Sequence, residues 1–127
     1  MDINLIFYAF VALAVIIVIR RTLRIRSLKH YGPSDVDALL KSGGNIVLLD
    51  VRTAAEHNEG AIKGSIHIPL QSLRSRLDDL KKYKTKEIVC YCQTGNRSSS
   101  AALILRSNGF AVANLRGGIA DWNFSHR

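Results

Sequence analysis

The amino-acid sequence predicts an α/β domain with a central parallel sheet flanked by helices on both faces, preceded by one transmembrane helix. Short β-branched apolar runs alternate with helical patterns after residue 31, which is typical of parallel strands joined by crossover helices. The first 31 residues instead contain a long uncharged run. We therefore assign residues 1–31 to a membrane anchor with a basic juxtamembrane linker, and residues 32–127 to one compact domain.

The anchor is predicted from the uncharged apolar run at residues 3–19. A helix of that length reaches roughly 26 Å, close to the roughly 30 Å thickness of a bilayer core. Asp2 precedes the run, and Arg20 and Arg21 follow it, which is the opposite of the charge order in a cleaved signal peptide. The positive-inside rule keeps the arginine-rich flank in the cytosol. We therefore expect an uncleaved single-pass anchor with the domain on the cytoplasmic side.

The net charge of +8 divides equally, with +4 on residues 1–31 and +4 on the remaining 96 residues. The charge on the domain is ordinary for a lysine-rich surface, and no recognition motif for nucleic acid accompanies it. We therefore expect no nucleic-acid partner. The charge on the first segment lies beside the apolar run and suits an anionic membrane surface.

The first half of the domain contains a helix, two strands and a second helix. GPSDVDALLKSGG predicts a short helix with Ser34 as its N-cap and the two glycines at its end. NIVLLDV has the pattern of a buried strand that ends in Asp50, and SIHIPL predicts a shorter strand. LQSLRSRLDDLKKY places four leucines, at 70, 73, 77 and 80, at the spacing of one amphipathic helix.

The second half repeats the alternation. KEIVCYC predicts a third strand, and SSSAALILRSNG predicts a helix with Ser98 or Ser99 as its N-cap. AVANL predicts a fourth strand, and GGIADW begins a last turn of helix. Because ligands bind at the carboxyl ends of parallel strands, two segments become candidate sites: residues 50–52 and residues 92–97.

The second of these segments, CQTGNR, forms a tight loop between a strand and a helix. Gly95 supplies the backbone freedom that such a curve requires. Backbone N–H groups that point inward, the N-terminus of the next helix and the charge of Arg97 would all favour thiolate over thiol at Cys92. We therefore expect the pKa of Cys92 to lie below the usual value of about 8.5.

Three interpretations of Cys92 compete on the residues alone. It could be a small buried core residue, although core cysteines do not need a polar glycine-containing loop and an arginine beside them. Cys90 and Cys92 could supply two thiolates to a metal, but no second Cys or Cys/His pair stands at zinc-like spacing. The third interpretation, a nucleophile, gives each residue type in the loop a purpose and is favoured.

Four segments together resemble the single-domain rhodaneses, a family of sulfurtransferases. They are the D-x-R strand end of LLDVR, the GAIKGSIHIPL segment, the C-x4-R-S loop of CQTGNRS, and GGIADW, which matches the G-G-x-x-x-W close of the family. The resemblance extends from about residue 32 to the end. It implies that a thiolate at Cys92 takes a sulfane sulfur from a donor such as thiosulfate. Cys92 then carries this sulfur as a persulfide and passes it to cyanide or a thiol, without a metal or another cofactor.

The resemblance also assigns roles to the other site residues. Arg97 is the first choice for holding the anionic part of the donor, although a salt bridge to an acidic neighbour is an alternative. Asp50 and Arg52 match the D-x-R pair, for which we expect mainly structural support, and Glu56 would pair with Arg52 or close the same network. The residues predicted to bind the substrate are Gln93, Thr94, Gly95, Asn96, Arg97 and Ser98.

Two observations set this chain apart from the family pattern and from a related enzyme class. Ala61 stands where the family commonly has a histidine. Phosphatases of the dual-specificity type use C-x5-R, whereas four residues separate Cys92 from Arg97 here, and the smaller loop suits a sulfur atom better than a phosphoryl group. The alternative from another class is a catalytically weak rhodanese-like binding or regulatory module that recruits a partner to the membrane. A protein sulfur acceptor is a further partner that the resemblance suggests.

Overall fold

The computed structural model describes residues 2–127 and contains five strands and seven helical segments. The strands are β1 Lys29–Tyr31, β2 Ile46–Asp50, β3 Ile66–His67, β4 Glu87–Tyr91 and β5 Ala111–Leu115. The helices are α1 Ile3–Arg26, α2 Pro33–Lys41, α3 Ala54–Glu59, α4 Leu70–Leu73, α5 Asn96–Ser107 and α6 Gly118–Ser125, with a 3-10 helix at Leu77–Tyr83. The strands form one parallel sheet in the order β1-β5-β4-β2-β3, so the predicted fold class is confirmed.

Both faces of the sheet are covered, because alternate residues of β4 enter two different cores. Ile88 and Cys90 pack against α5 and the 3-10 helix, in a core that includes Leu80 and Leu105. On the opposite face, residues 89 and 91 pack with side chains from α2 and α6. This alternation with a period of two is the pattern expected of a strand that is buried on both sides.

Helix α1 continues the predicted apolar run by two further turns, up to Arg26. Of the residues that the structure describes, this one helix is by length and composition able to cross a membrane, with a mean hydropathy of 2.5 over an 18-residue window. None of its residues is buried against the domain. The domain therefore leaves the apolar surface of α1 uncovered.

The juxtamembrane linker predicted from the sequence is shorter than expected, because its last residues belong to the sheet. Strand β1 pairs with β5 at the edge of the sheet, with Lys29 opposite Ala113 and Tyr31 opposite Leu115. Leu28 is also buried in the core beside α5. The three-residue strand was missed because its sequence, KHY, has no apolar pattern and is recruited by the open edge of β5.

The predicted N-cap of α2 was wrong. The helix begins at Pro33 with Gly32 at the N-cap position, and the side chain of Asp35 accepts a hydrogen bond from the Gly32 N–H at 2.9 Å. Proline suits the first helical position because its φ is already helical and its missing N–H has no partner there. Ser34 therefore lies inside the first turn.

The predicted N-cap of α5 was also wrong, by three or four residues. Gly95 has a left-handed φ of 117° and precedes the helix, which begins at Asn96. The Ser98 and Ser99 Oγ atoms lie 3.0 and 2.8 Å from the Gly95 carbonyl oxygen, so neither serine is an N-cap. The earlier start matters for the site, because it places Arg97 in the first turn of α5.

The segment LQSLRSRLDDLKKY does not form the single helix that its leucines predict. It divides into α4 and the 3-10 helix, with a break at residues 74–76. Leu77, Leu80 and Tyr83 still share one face, because residues three apart are eclipsed in a 3-10 helix. Leu73 and Leu80 are fully buried, so the apolar pattern correctly identified the core residues even though the helix type was wrong.

Candidate active site at the Cys92 loop

The loop after β4 wraps around the sulfur of Cys92. The Gly95 N–H donates to Sγ at 3.0 Å, and the Ser98 hydroxyl lies 3.4 Å from the same sulfur. Cys92 is only 1% exposed. The left-handed φ of Gly95 turns the chain back so that its own N–H faces the sulfur.

These contacts favour the thiolate. Burial alone disfavours the charged form and raises the pKa of Cys92. Hydrogen bonds from the Ser98 side chain and from the backbone of Ser98, Gly95 and Thr94 outweigh that penalty, so the pKa of Cys92 is lowered overall. The loop thus favours the thiolate of Cys92 through hydrogen bonds rather than through a histidine.

Helix α6 holds the loop from behind. The Ile119 N–H donates to the Cys92 carbonyl at 2.9 Å, and the Ala120 N–H donates to the Gln93 carbonyl at 3.2 Å. This close approach requires glycine at position 118, because an added Cβ would lie 2.4 Å from the Cys92 carbonyl oxygen. With their carbonyls turned toward α6, Cys92 and Gln93 leave the interior of the loop to N–H groups.

Arg97 forms a two-point ion pair with Glu56. Its Nη1 and Nη2 atoms lie 2.7 and 2.8 Å from the two carboxylate oxygens. The hydrogen bonds from Arg97, opposed in part by burial, lower the pKa of Glu56 to about 2. Glu56 therefore pairs with Arg97 and not with Arg52, which was the other partner considered from the sequence.

Asp50, at the end of β2, is fully buried and lies at the centre of a hydrogen-bond network. Its oxygens accept from the Arg52 backbone, Nε and Nη2, from His57 Nδ1 and from the Tyr91 hydroxyl, at 2.8 to 3.1 Å. Burial opposes ionisation, but the hydrogen bonds from Arg52 and His57 prevail and lower the pKa of Asp50. Arg52 also donates to the Gly60 carbonyl at 2.7 Å, which ties the strand end to the next loop.

Helix α3 links the Asp50 network to the Cys92 loop. Its consecutive residues Glu56 and His57 bind Arg97 and Asp50 respectively. The helix is oriented by a capping box, in which Thr53 and Glu56 exchange hydrogen bonds at 3.2 and 3.3 Å. Helix α3 was not among the predicted elements, although the T-x-x-E spacing at residues 53–56 is the signal that predicts it.

A second set of contacts connects Cys92 to β1 and was also missed. The Ser98 Oγ atom lies 2.6 Å from Asn114 Oδ1, and Asn114 Nδ2 lies 3.2 Å from His30 Nδ1. His30 Nε2 in turn lies 3.0 Å from the Ile25 carbonyl in the last turn of α1. The asparagine in AVANL could have indicated such contacts from the sequence, because the amide of an asparagine in a buried strand requires hydrogen-bond partners.

The other predicted loop residues face outward. Gln93, Thr94 and Asn96 are exposed at the rim, so they meet solvent or an incoming molecule rather than the core. Cys90, in contrast, is fully buried in the core. Burial, together with the neighbouring Cys92, raises the pKa of Cys90 to about 12. Within residues 2–127, no group of three or more His, Cys, Asp or Glu side chains is placed to bind a metal.

Comparison with known proteins identifies the family. The family model for the rhodanese-like domain matches residues 32–125, and the chain therefore belongs to the rhodanese-like family. A sulfurtransferase of Allochromatium vinosum is 35% identical over 79 residues, which cover 61% of this chain and 72% of that protein.

Other relatives carry a similar domain within a longer chain. A tRNA uridine(34) hydroxylase of Buchnera aphidicola is 36% identical over 98 residues, which cover 73% of this chain but 31% of that protein. The crystal structure of a thiosulfate sulfurtransferase from Pseudomonas aeruginosa superposes with a TM-score of 0.71 at 26% identity, covering 80% of this chain and 20% of that one. The domain is thus shared by proteins of different activities.

Proposed function

We propose that this protein is a sulfurtransferase in which Cys92 carries a sulfane sulfur as a persulfide. The observation that supports this proposal best is the Cys92 loop, where N–H and hydroxyl groups surround a buried sulfur and lower its pKa. A persulfide is also an anion, so the donors that stabilise the thiolate would serve the loaded form as well.

The proposed reaction has two displacement steps that need no proton transfer. The Cys92 thiolate attacks the outer sulfur of thiosulfate, and the sulfur–sulfur bond breaks as its electron pair leaves with sulfite. Cyanide then attacks the outer sulfur of the persulfide, and thiocyanate leaves while the Cys92 thiolate is restored. A thiol acceptor would follow the same course and leave as a persulfide.

In this proposal Arg97 attracts the anionic donor to the loop, and the exposed side chains of Gln93, Thr94 and Asn96 influence which donors and acceptors fit. The Arg97 side chain is 36% exposed, so it remains accessible while it pairs with Glu56. Asp50, Arg52 and Glu56 would act as positioning residues, because their contacts run to the strand end and to Arg97 and none touches the sulfur.

The test is persulfide formation on the full-length protein in detergent. Incubation with thiosulfate should add about 32 Da, the mass of one sulfur atom, to the peptide that contains Cys92. Cys92→Ser should abolish the adduct and leave the melting temperature nearly unchanged. Cys90→Ala should keep the adduct and lower stability by about 1 kcal/mol, because it removes a buried sulfur from the core. A folded protein that never gains sulfur on Cys92 would contradict the proposal.

A second candidate function is a binding module that recruits a partner and transfers sulfur weakly. The two-point pairing of Arg97 with Glu56 favours it, because a guanidinium held by a carboxylate is less available to an anionic donor. Under this alternative the Cys92 adduct would form slowly, and Glu56→Gln, which frees the Arg97 guanidinium, would accelerate its formation.

We further propose that α1 spans a membrane and places the domain at its cytosolic face. This placement is supported by the uncovered apolar surface of α1 and by the arginines at residues 20, 21, 24 and 26 in its last turns. The donor, the acceptor and any protein partner would then meet Cys92 close to the membrane surface.

A further inference from the structure

A polar cleft of about 240 Å³ lies between the last turns of α1 and helix α5. Three arginines line it: Arg21 and Arg24 from α1, and Arg74 from the segment that follows α4. The Ser100 and Ser107 side chains of α5 complete its polar wall. None of its lining residues belongs to the 92–97 loop, so the cleft is separate from the candidate active site.

The three arginines bring positive charge together without a carboxylate to balance it. Within residues 2–127, the salt bridges involve other side chains, and the lining of the cleft contains no Asp or Glu. Arg21 Nη2 donates to Ser100 Oγ at 2.7 Å and keeps its remaining N–H groups for other acceptors. Guanidinium groups that converge in this way match the oxygens of a phosphate.

The cleft has a defined shape because hydrogen bonds beside it hold the end of α1 against α5. Besides the bond from Arg21 to Ser100, Arg106 Nη1 donates to Ser27 Oγ at 3.1 Å, just past the end of α1. These contacts join residues 79 positions apart in the sequence. The basic turns of α1 therefore do not belong to a free linker but form one wall of a cleft whose other wall is the domain.

A second, less polar cleft of about 330 Å³ adjoins the first along α1. Ile17 and Leu103 supply its apolar wall, and it shares Arg21, Arg24 and Leu103 with the polar cleft. The direction from Arg24 toward Ile17 runs back along α1 into its apolar segment. A molecule with an anionic head and an apolar tail fits both parts at once, whereas a free anion would occupy the first part alone.

We propose that the paired cleft binds an anionic phospholipid, with the phosphodiester beside Arg21, Arg24 and Arg74 and an acyl chain along Ile17. This inference rests on the membrane placement of α1 proposed above. Arg74 belongs to the domain, whereas Arg21 and Arg24 belong to α1. Its presence distinguishes a specific lipid-binding site from a basic juxtamembrane segment that attracts anionic lipid through charge alone. A bound lipid would thus hold the domain, and with it the Cys92 loop, in one orientation against the membrane.

The test uses the full-length protein in detergent micelles that contain equal amounts of phosphatidylglycerol and phosphatidylcholine. Native mass spectrometry counts the lipids of each type retained by the protein. We expect enrichment of phosphatidylglycerol and a loss of about fivefold or more in Arg74→Gln, because this change removes charge-assisted hydrogen bonds to the phosphate. Circular dichroism checks that each variant is folded.

Two matched variants separate the site from general charge. Arg76→Gln removes the same charge two residues from Arg74, and Arg26→Gln does so two residues from Arg24, yet neither residue lines the clefts. Both controls should retain phosphatidylglycerol as the wild type does. Equal losses in Arg74→Gln and Arg76→Gln would overturn the proposed site, and so would displacement of the lipid by millimolar inorganic phosphate, which would indicate a free-anion site.

Failure of this inference can be told apart from failure of the membrane placement. Flotation of the wild type with pure phosphatidylcholine vesicles tests insertion of α1 without any anionic lipid. If the protein does not float, the placement and the lipid site both fail. If it floats but retains both lipids equally, the lipid site fails while the placement stands.

Discussion

At the scale of single residues, the ionisation of Cys92 depends on a balance between burial and hydrogen bonding. Burial raises its pKa, and contacts with the Ser98 side chain and three backbone groups lower it by more. The Ser98 hydroxyl contacts two residues, because it lies beside the Cys92 sulfur and also 2.6 Å from Asn114 Oδ1. The side chain that most favours the thiolate is therefore positioned by a residue from the next strand.

Ser98→Ala tests this balance through the pH dependence of persulfide formation. The reactive form is the thiolate, so the rate rises with pH through the pKa of Cys92. Removing a hydrogen bond to the charged form raises that pKa, and the midpoint of the profile should move up by about one pH unit. Ser107→Ala, at the far end of α5, is the control and should leave the profile in place. An unchanged midpoint in Ser98→Ala would show that the backbone donors suffice.

Glu56 allows a second test at this scale, through stability. Its pKa in the folded protein is lowered from 4.5 to about 2, so its contribution is fully present above pH 4.5 and is lost as the pH falls toward 2. At pH 6, Glu56→Gln should lower the free energy of unfolding by up to about 1 kcal/mol, the range for a partly exposed ion pair. The difference from wild type should shrink at pH 3.

Urea unfolding at the two pH values measures this difference. Glu59→Gln, an exposed position on the same helix, is the matched control and should have little effect at either pH. A penalty for Glu56→Gln that persists unchanged at pH 3 would mean that Glu56 stabilises α3 through its cap alone.

At the scale of elements, the site is assembled by two short helices that act on the loop from different sides. Helix α3 carries Glu56 to Arg97 and His57 to Asp50, while α6 holds the carbonyls of Cys92 and Gln93. Both helices follow a strand end, so the carboxyl edge of the sheet positions them. The loop thus depends on contacts that lie outside its own six residues.

Gly118→Ala tests the contact with α6. A Cβ at position 118 would lie 2.4 Å from the Cys92 carbonyl oxygen, and the neighbouring atoms are backbone that has no freedom to turn away. Residue 118 also has a left-handed φ of 60°. We expect a larger loss of unfolding free energy than backbone strain alone produces, together with slower persulfide formation.

Gly43→Ala is the matched control for that variant. Gly43 has a φ of 72°, and an added Cβ would meet nothing within 4 Å. It should cost about 1 kcal/mol, the strain of a left-handed residue with a side chain, and leave persulfide formation intact. Equal effects of the two substitutions on urea unfolding would show that the loop can move away from α6 without any loss of stability.

At the scale of the whole molecule, α1 and the domain meet through β1 rather than through a free linker. The strand lies at the edge of the sheet, Leu28 packs into the core, and His30 contacts both Ile25 and Asn114. A continuous series of polar contacts therefore leads from the last turn of α1 through Asn114 and Ser98 to Cys92. The end of α1 and the Cys92 loop belong to one packed unit.

Two truncations test the anchor and the edge strand separately. A chain of residues 20–127 lacks the apolar run but keeps Leu28 and β1, so it should move from the membrane to the soluble fraction and stay folded. A chain of residues 32–127 should also be soluble, but less stable by several kcal/mol, because burial of one leucine contributes about 1.5 to 3 kcal/mol and the edge of β5 is uncovered.

Cell fractionation and urea unfolding of the two chains provide the measurement. Persistence of residues 20–127 in the membrane fraction after a high-salt wash would contradict α1 as the sole anchor. Equal stability of the two chains would contradict the contribution of Leu28 and β1.

The alternation of strands and helices, the two strand ends that form the site and the loop around Cys92 could all be predicted from local patterns. Apolar β-branched runs determine strands without reference to the rest of the chain, and a glycine four residues before a helical pattern indicates a tight loop. The leucines at residues 73 and 80 identified core positions for the same reason. These features depend on residues that are neighbours in the sequence.

The sequence by itself therefore determined the family, four of the five strands and the residue at the centre of the candidate site. Only the tertiary structure decided that Arg97 pairs with Glu56, that Asn114 orients Ser98, and that residues 29–31 join the sheet. Each of these contacts joins residues 16 to 84 positions apart. Such contacts follow from the order and register of the strands, which are set by the packing of the whole core and by no local pattern.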